Sequence, residues 1–169
     1  MMMTRFLVSL ACAAVAASAA SATDAAQAAP SPPVNKGYDW ALRINEGRVS
    51  DAILAYEVDG TDDQPLSLQC EEGGRRIFAG ISGGPADLRD LTLASGDQRL
   101  SVPGKSTATE IDEMPYFTSQ EIAADSALIA AFAARGWLRM TVGGHSIDMV
   151  ATRKGRDAIR RFVAFCTAR

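Results

Sequence analysis

Gly80-Ile81-Ser82-Gly83-Gly84 fits the Gly-x-Ser-x-Gly pattern in which serine hydrolases hold their nucleophile. That chemistry needs the serine on a tight strand-to-helix turn, with a histidine and an acid in reach. His145 is the sole histidine of the chain, so a triad or a multi-histidine metal site must use it or fail. Asp148 lies three residues beyond it, and along a strand the two face opposite sides, a poor arrangement for a catalytic pair. Pro85 follows the glycines, and no amphipathic helix begins promptly. Ser82 is therefore read as leaving a strand into a loop, and His145 as an exposed turn residue. A small serine hydrolase using Ser82 and His145 stays as the alternative.

The acidic clusters offer less. Asp59, Asp62 and Asp63 suggest calcium, but a calcium loop needs alternating carboxylates and a distal bidentate Glu, and Gln64-Pro65 cuts the pattern short. Glu110, Asp112 and Glu113 read as an exposed strand edge that discourages edge-to-edge association. The Gly-Gly pairs at 73–74, 83–84 and 143–144 neither precede Lys-Ser/Thr nor open a Rossmann helix, so they are not phosphate loops. No metal and no cofactor is expected.

Arg153, Lys154, Arg156, Arg160, Arg161 and Arg169 make the C-terminal end locally basic. The plain reading is a solvated helix face, with late cations favoured by the helix dipole. The functional reading is docking, chiefly through Arg153, Lys154, Arg156 and Arg160, onto an anionic envelope partner: lipopolysaccharide, peptidoglycan or an acidic protein. The whole chain carries a net charge of -3, so no global basic field draws it to nucleic acid.

Cysteine usage sets the compartment. Arg5, the apolar run Phe6 to Ala17 and small-x-small sites up to Ala26-Gln27-Ala28 make a three-part secretion signal over residues 1–28. The apolar run is about a dozen residues, whereas a membrane span needs ~20. A lipoprotein acylated at Cys12, or an uncleaved anchor, is the lesser reading. No second long apolar run follows, so no transmembrane helix is expected in the mature chain. Cys70 and Cys166 then remain, a pair suited to an oxidising compartment, periplasmic or extracellular. Bridging residues 96 positions apart stabilises by about 4–5 kcal/mol at most in chain-entropy terms.

The elements that must position these residues are short alternating segments separated by Gly-containing turns. Residues 29–36 read as a disordered lead-in and 37–169 as one domain. Trp40/Leu42/Ile44, Ala52/Leu54/Tyr56/Val58, Leu66/Leu68/Cys70, Ile77/Ala79/Ile81, Leu91/Leu93 and Leu100/Val102 each share a strand face, with Pro103-Gly104 closing the last unit. Residues 106–124 read as strand or helix: Thr107, Thr109, Ile111 and Tyr116-Phe117 favour strands, Thr118-x-x-Glu121 a capping box. A helix over about 125–135 follows, with Asp125 as N-cap and Gly136 as stop. Trp137 to Val142 and Ser146 to Val150 form a hairpin around Gly143-Gly144. A second helix spans about 155–167, its stripe Ile159, Phe162, Val163 and Cys166 facing the core. The expected class is α+β: a twisted antiparallel sheet or partly open sandwich of hairpins with two helices packed on it.

The ending from Met149 to Cys166, a strand, then Gly155-x-x-Ala158-Ile159, then a helix closing on Cys, resembles small exported proteobacterial proteins. Together with Leu66-x-Leu68-x-Cys70 it is similar to proteins near the invasion-associated locus B family and to type VI secretion accessory proteins. The resemblance implies an envelope location and no particular chemistry. The expected function is a non-enzymatic module that binds a protein or envelope component. An inhibitor of a lysozyme or protease is a further alternative, because a disulfide-stapled β domain presents loops rigidly.

Overall fold

The computed structural model describes residues 31–108 and 114–169. The signal segment, Cys12 and the knot Glu110/Asp112/Glu113 lie outside the described residues. Strands β1 (Tyr38–Asn45), β2 (Asp51–Val58), β3 (Leu66–Glu71), β4 (Arg76–Ser82), β5 (Asp90–Ser95), β6 (Gln98–Ala108), β7 (Pro115–Ser119) and β8 (Ile122–Ala123) come first. Helix α1 (Ala127–Arg135), hairpin β9 (Trp137–Val142) and β10 (His145–Val150), and helix α2 (Arg153–Cys166) complete the chain.

The strands pair antiparallel in the order β1-β2-β3-β4-β7-β6-β5-β9-β10, with β8 on β4. This is one continuous path that nearly closes into a barrel. Alternation dictates what faces inward. Trp40, Leu54, Tyr56, Leu68, Leu93 and Phe117 are fully or almost fully buried, as are Phe132 of α1 and Ile159, Phe162 and Cys166 of α2. Helix α2 packs on β1, β2 and β3; α1 packs on β5, β6, β9 and α2.

The sheet turns its corner within β6. Pro103-Gly104 does not end the strand, as the sequence suggests, but marks a change of partner: residues up to Pro103 pair with β5, and Gly104 onward with β7. Proline has no N–H for a ladder and glycine no Cβ, so this dipeptide suits a handover. A Cβ at Gly104 would lie 2.5 Å from the Thr118 carbonyl oxygen.

Several local expectations change. Of the two readings open for 106–124, strand holds at residues 106–108, 115–119 and 122–123; Thr118 sits inside β7 and caps no helix. Ser126 rather than Asp125 caps α1, accepting from the Ile129 N–H at 3.4 Å; Asp125 is taken by Arg75 at 3.0 Å. Helix α2 starts at Arg153, capped by Thr152, two residues before the expected position. Gly155 falls in its first turn because the Asp39 carboxylate comes close: a Cβ there would sit 2.0 Å from Asp39 Oδ1.

The two ends of the path meet without a backbone ladder among the described residues. Asn35 Nδ2 donates to the Asp148 carbonyl at 2.6 Å and Trp40 Nε1 to the Met149 carbonyl at 3.1 Å. Asp39 accepts from the Thr152 N–H at 2.9 Å and from its hydroxyl, fixing the start of α2 to β1. At the other end of α2, Cys166 is bonded to Cys70, with Cα atoms 5.7 Å apart. The β3–β4 turn satisfies two of the helix's last carbonyls: Gly73 N–H donates to Phe165 at 3.0 Å and Arg75 N–H to Cys166 at 2.9 Å.

Loop 59–63 is tied to β1 by the Tyr38 hydroxyl, which donates to Asp63. That bond, to a carboxylate that would repel a phenolate, raises the Tyr38 pKa above its ordinary value of about 10. Burial raises Tyr56 as well. A folded-state tyrosine pKa above the unfolded one means stability is fully present below about pH 10 and lost as pH rises through the folded value. Tyr38→Phe should therefore flatten the alkaline decline in melting temperature above about pH 10. An identical decline in wild type and variant would refute this.

Candidate functional site

Strand β1 is the first on the path and has β2 as its only ladder partner among the described residues. The polar face of α2 stands across from it. Between them lies a cleft of about 580 Å³ lined by Trp40, Ala41 and Leu42 of β1 and by Arg153, Lys154, Asp157, Ala158 and Arg161 of α2. The helical side follows from periodicity: 153, 157 and 161 recur at i, i+4 and i+8, with 154 and 158 beside them. The buried residues Gly155, Ile159, Phe162 and Cys166 form the other face of the helix.

Charge in the cleft is one-sided. Asp157 is paired with Arg160, leaving no ion pair on Arg153, Lys154 or Arg161 among the described residues. Arg153 and Lys154 occupy the first turn of α2, which contains no acid, and the last turn contains no base. Cations at a helix N-terminus oppose the macrodipole, so the reading of this cluster as dipole-favoured late cations fails for these two. Asp39, from β1, supplies the carboxylate that the first turn lacks. Lys154 also borders a hollow of about 60 Å³ reached by Asp39, Glu57 and Asp59. Glu57, 6% exposed, is held by Arg43 at 2.5 Å, and that bond keeps the guanidinium pKa above its ordinary value.

The expected basic set divides. Arg153 and Lys154 line the cleft. Arg160 serves Asp157. Arg156 lies against Gly136, where a Cβ would fall 2.8 Å from its Cγ. Arg161 takes a place in the cleft beside Arg153 and Lys154. Its four-residue spacing from Asp157 was the available signal; the edge of β1 opposite it gave none.

Ser82 ends β4, exposed and opposite Tyr116 of β7. Gly83 follows with φ +71°, and residues 85–88 form a turn, not a helix. His145 begins β10, exposed and opposite Val142. Strands β7, β6, β5 and β9 stand between β4 and β10 on the path, and no hydrogen bond joins Ser82 to His145 among the described residues. Asp148 is committed to Arg139 through two bonds of 2.6 and 2.7 Å. Asp63 is engaged by Tyr38, and no group of three or more metal-ligating side chains occurs among the described residues.

A second cavity, about 400 Å³, includes Thr92, Asp97, Arg99, Arg139, Thr141 and Ser146. Most of its charge is already paired, Arg139 with Asp148 and Asp97 with Arg135. The β1–α2 cleft is thus the place where cations converge without partners. Its lining contains no Ser, Thr, Cys, His or Tyr; its polar groups are Arg153, Lys154, Asp157 and Arg161. The arrangement suits holding an anion. No protein-family model, curated protein or solved structure matches this chain.

Proposed function

We propose that this chain is an exported, non-enzymatic binding domain whose β1–α2 cleft holds an anionic envelope component, protein or polymer. One observation carries the reading: Arg153, Lys154 and Arg161 gather in a single cleft unpaired, two of them where the helix dipole disfavours them. Export is supported by the three-part leader, by the Cys70–Cys166 bond and by the resemblance of the 149–166 ending to small envelope proteins. No helix among the described residues is long and apolar enough to cross a membrane.

The test uses Arg153→Glu/Arg161→Glu in the mature protein and polyglutamate as probe. Reversing two cations should weaken binding on the order of tenfold or more at low salt, with a shallower salt dependence. Unchanged affinity would remove the cleft from consideration. Turnover of an ester panel that disappears in Ser82→Ala would instead promote the hydrolase alternative.

A further inference from the structure

We infer that the cleft takes an extended acidic peptide segment, which adds as a strand to the free edge of β1. This rests on the cleft being the binding site and specifies its guest. The side-chain bonds that close the two ends of the path fall at Asn35, Asp39 and Trp40. From Ala41 to Asn45, β1 has no ladder partner on its outer edge among the described residues, although the strand continues in full register with β2. Every second residue there presents its N–H and C=O outward.

Free edges are ordinarily blunted by proline, a charged side chain, a bulge or a covering helix or loop. Ala41–Asn45 has no proline, its register with β2 is unbroken, and the charge of Arg43 is spent on Glu57. Strand addition draws affinity from main-chain hydrogen bonds and specificity from alternate side chains. The spacing agrees. Arg153 and Arg161 are eight residues apart, about 12 Å along a helix. Side chains at i and i+4 of an extended chain are about 13 Å apart on one face. Two acids four positions apart on the guest would match that spacing. A polysaccharide or phosphate headgroup would use the cations and leave the edge unpaired.

The probe is a capped, fluorescent octapeptide of Val and Thr with two glutamates four positions apart, read by anisotropy on the full mature protein. Two further versions carry N-methyl groups on alternate amides, in one frame or the other. One frame should lose binding on the order of 30-fold and the other should keep it, because only one set of amides faces β1. Arg153→Glu/Arg161→Glu should weaken the parent peptide. If both frames bind like the parent while charge reversal still matters, strand addition is wrong and the cleft reading stands. If only dextran sulfate binds, and does so through the same cations, the guest is a polymer and the peptide is ruled out. If neither probe responds to charge reversal, the cleft reading itself falls.

Discussion

Cys70→Ser and Cys166→Ser should each lower the melting temperature of the oxidised protein by on the order of 15 °C. The bond spans 96 positions, and closing a loop of that length removes unfolded-state entropy worth about 4–5 kcal/mol as a ceiling. For a domain of about 130 residues, 1 kcal/mol moves the melting point by roughly 3–5 °C. Both sulfurs are buried, Cys70 at 2% exposure and Cys166 at 0%, so reductant reaches them through opening of the fold. Dithiothreitol with denaturant, followed by refolding without oxidant, should bring wild type down to the variants and leave the variants unmoved. Equal melts for wild type and both variants, or alkylation of both sulfurs without denaturant, would contradict the clasp. Alanine in place of serine separates the covalent effect from a buried hydroxyl.

Trp40→Ala should cost about 3–5 kcal/mol in urea unfolding, the range for removing a large buried aromatic side chain. Trp40 is 1% exposed; its ring centroid lies 5.3 Å from that of Tyr56 and 4.9 Å from that of Phe132. It therefore connects β1, β2 and α1 in one contact group. Its Nε1–H also reaches the Met149 carbonyl on β10. Trp40→Phe retains a ring and loses that bond, so it should cost less than Trp40→Ala while still loosening β1 from β10. A loss below about 1 kcal/mol for the alanine variant would show that the contact group is not where the core is built.

Much of this fold is readable from alternation. The inward sets Ala52/Leu54/Tyr56 and Leu66/Leu68/Cys70 follow from a period of two, and α2's stripe of Ile159, Phe162 and Cys166 from a period of 3.6. Both φ values at Gly143 and Gly144 are positive, as a tight hairpin turn requires. What the periodicities could not give is pairing between strands distant in sequence. β4 takes β7 and β8 as neighbours and β5 takes β9, because β6 changes partner at Pro103-Gly104. A proline-glycine pair reads locally as a turn, and only the approach of Phe117 and Thr118 explains its place inside a strand.

The site was half legible for the same reason. The basic run is visible in the sequence, and helical spacing separates its members once the true start of α2 is known. That start was obscured because Gly155 looks like a helix boundary until Asp39, 113 residues before Thr152, is seen against it. The opposing wall, Trp40 to Leu42, comes from the far end of the chain. Ser82 and His145, by contrast, stand out by residue type alone, and type says nothing about the four strands placed between β4 and β10.

Covalently, the bond between Cys70 and Cys166 makes a ring of everything from β4 to the last turn of α2. The first two strands, and β3 up to its cysteine, hang from that ring as a tail. That tail is held to the ring by packing and by hydrogen bonds, those of Asp39 and Trp40 among them. The proposed docking strand thus lies outside the covalent ring, and the cations of α2 lie within it. Nothing covalent prevents two copies from trading tails.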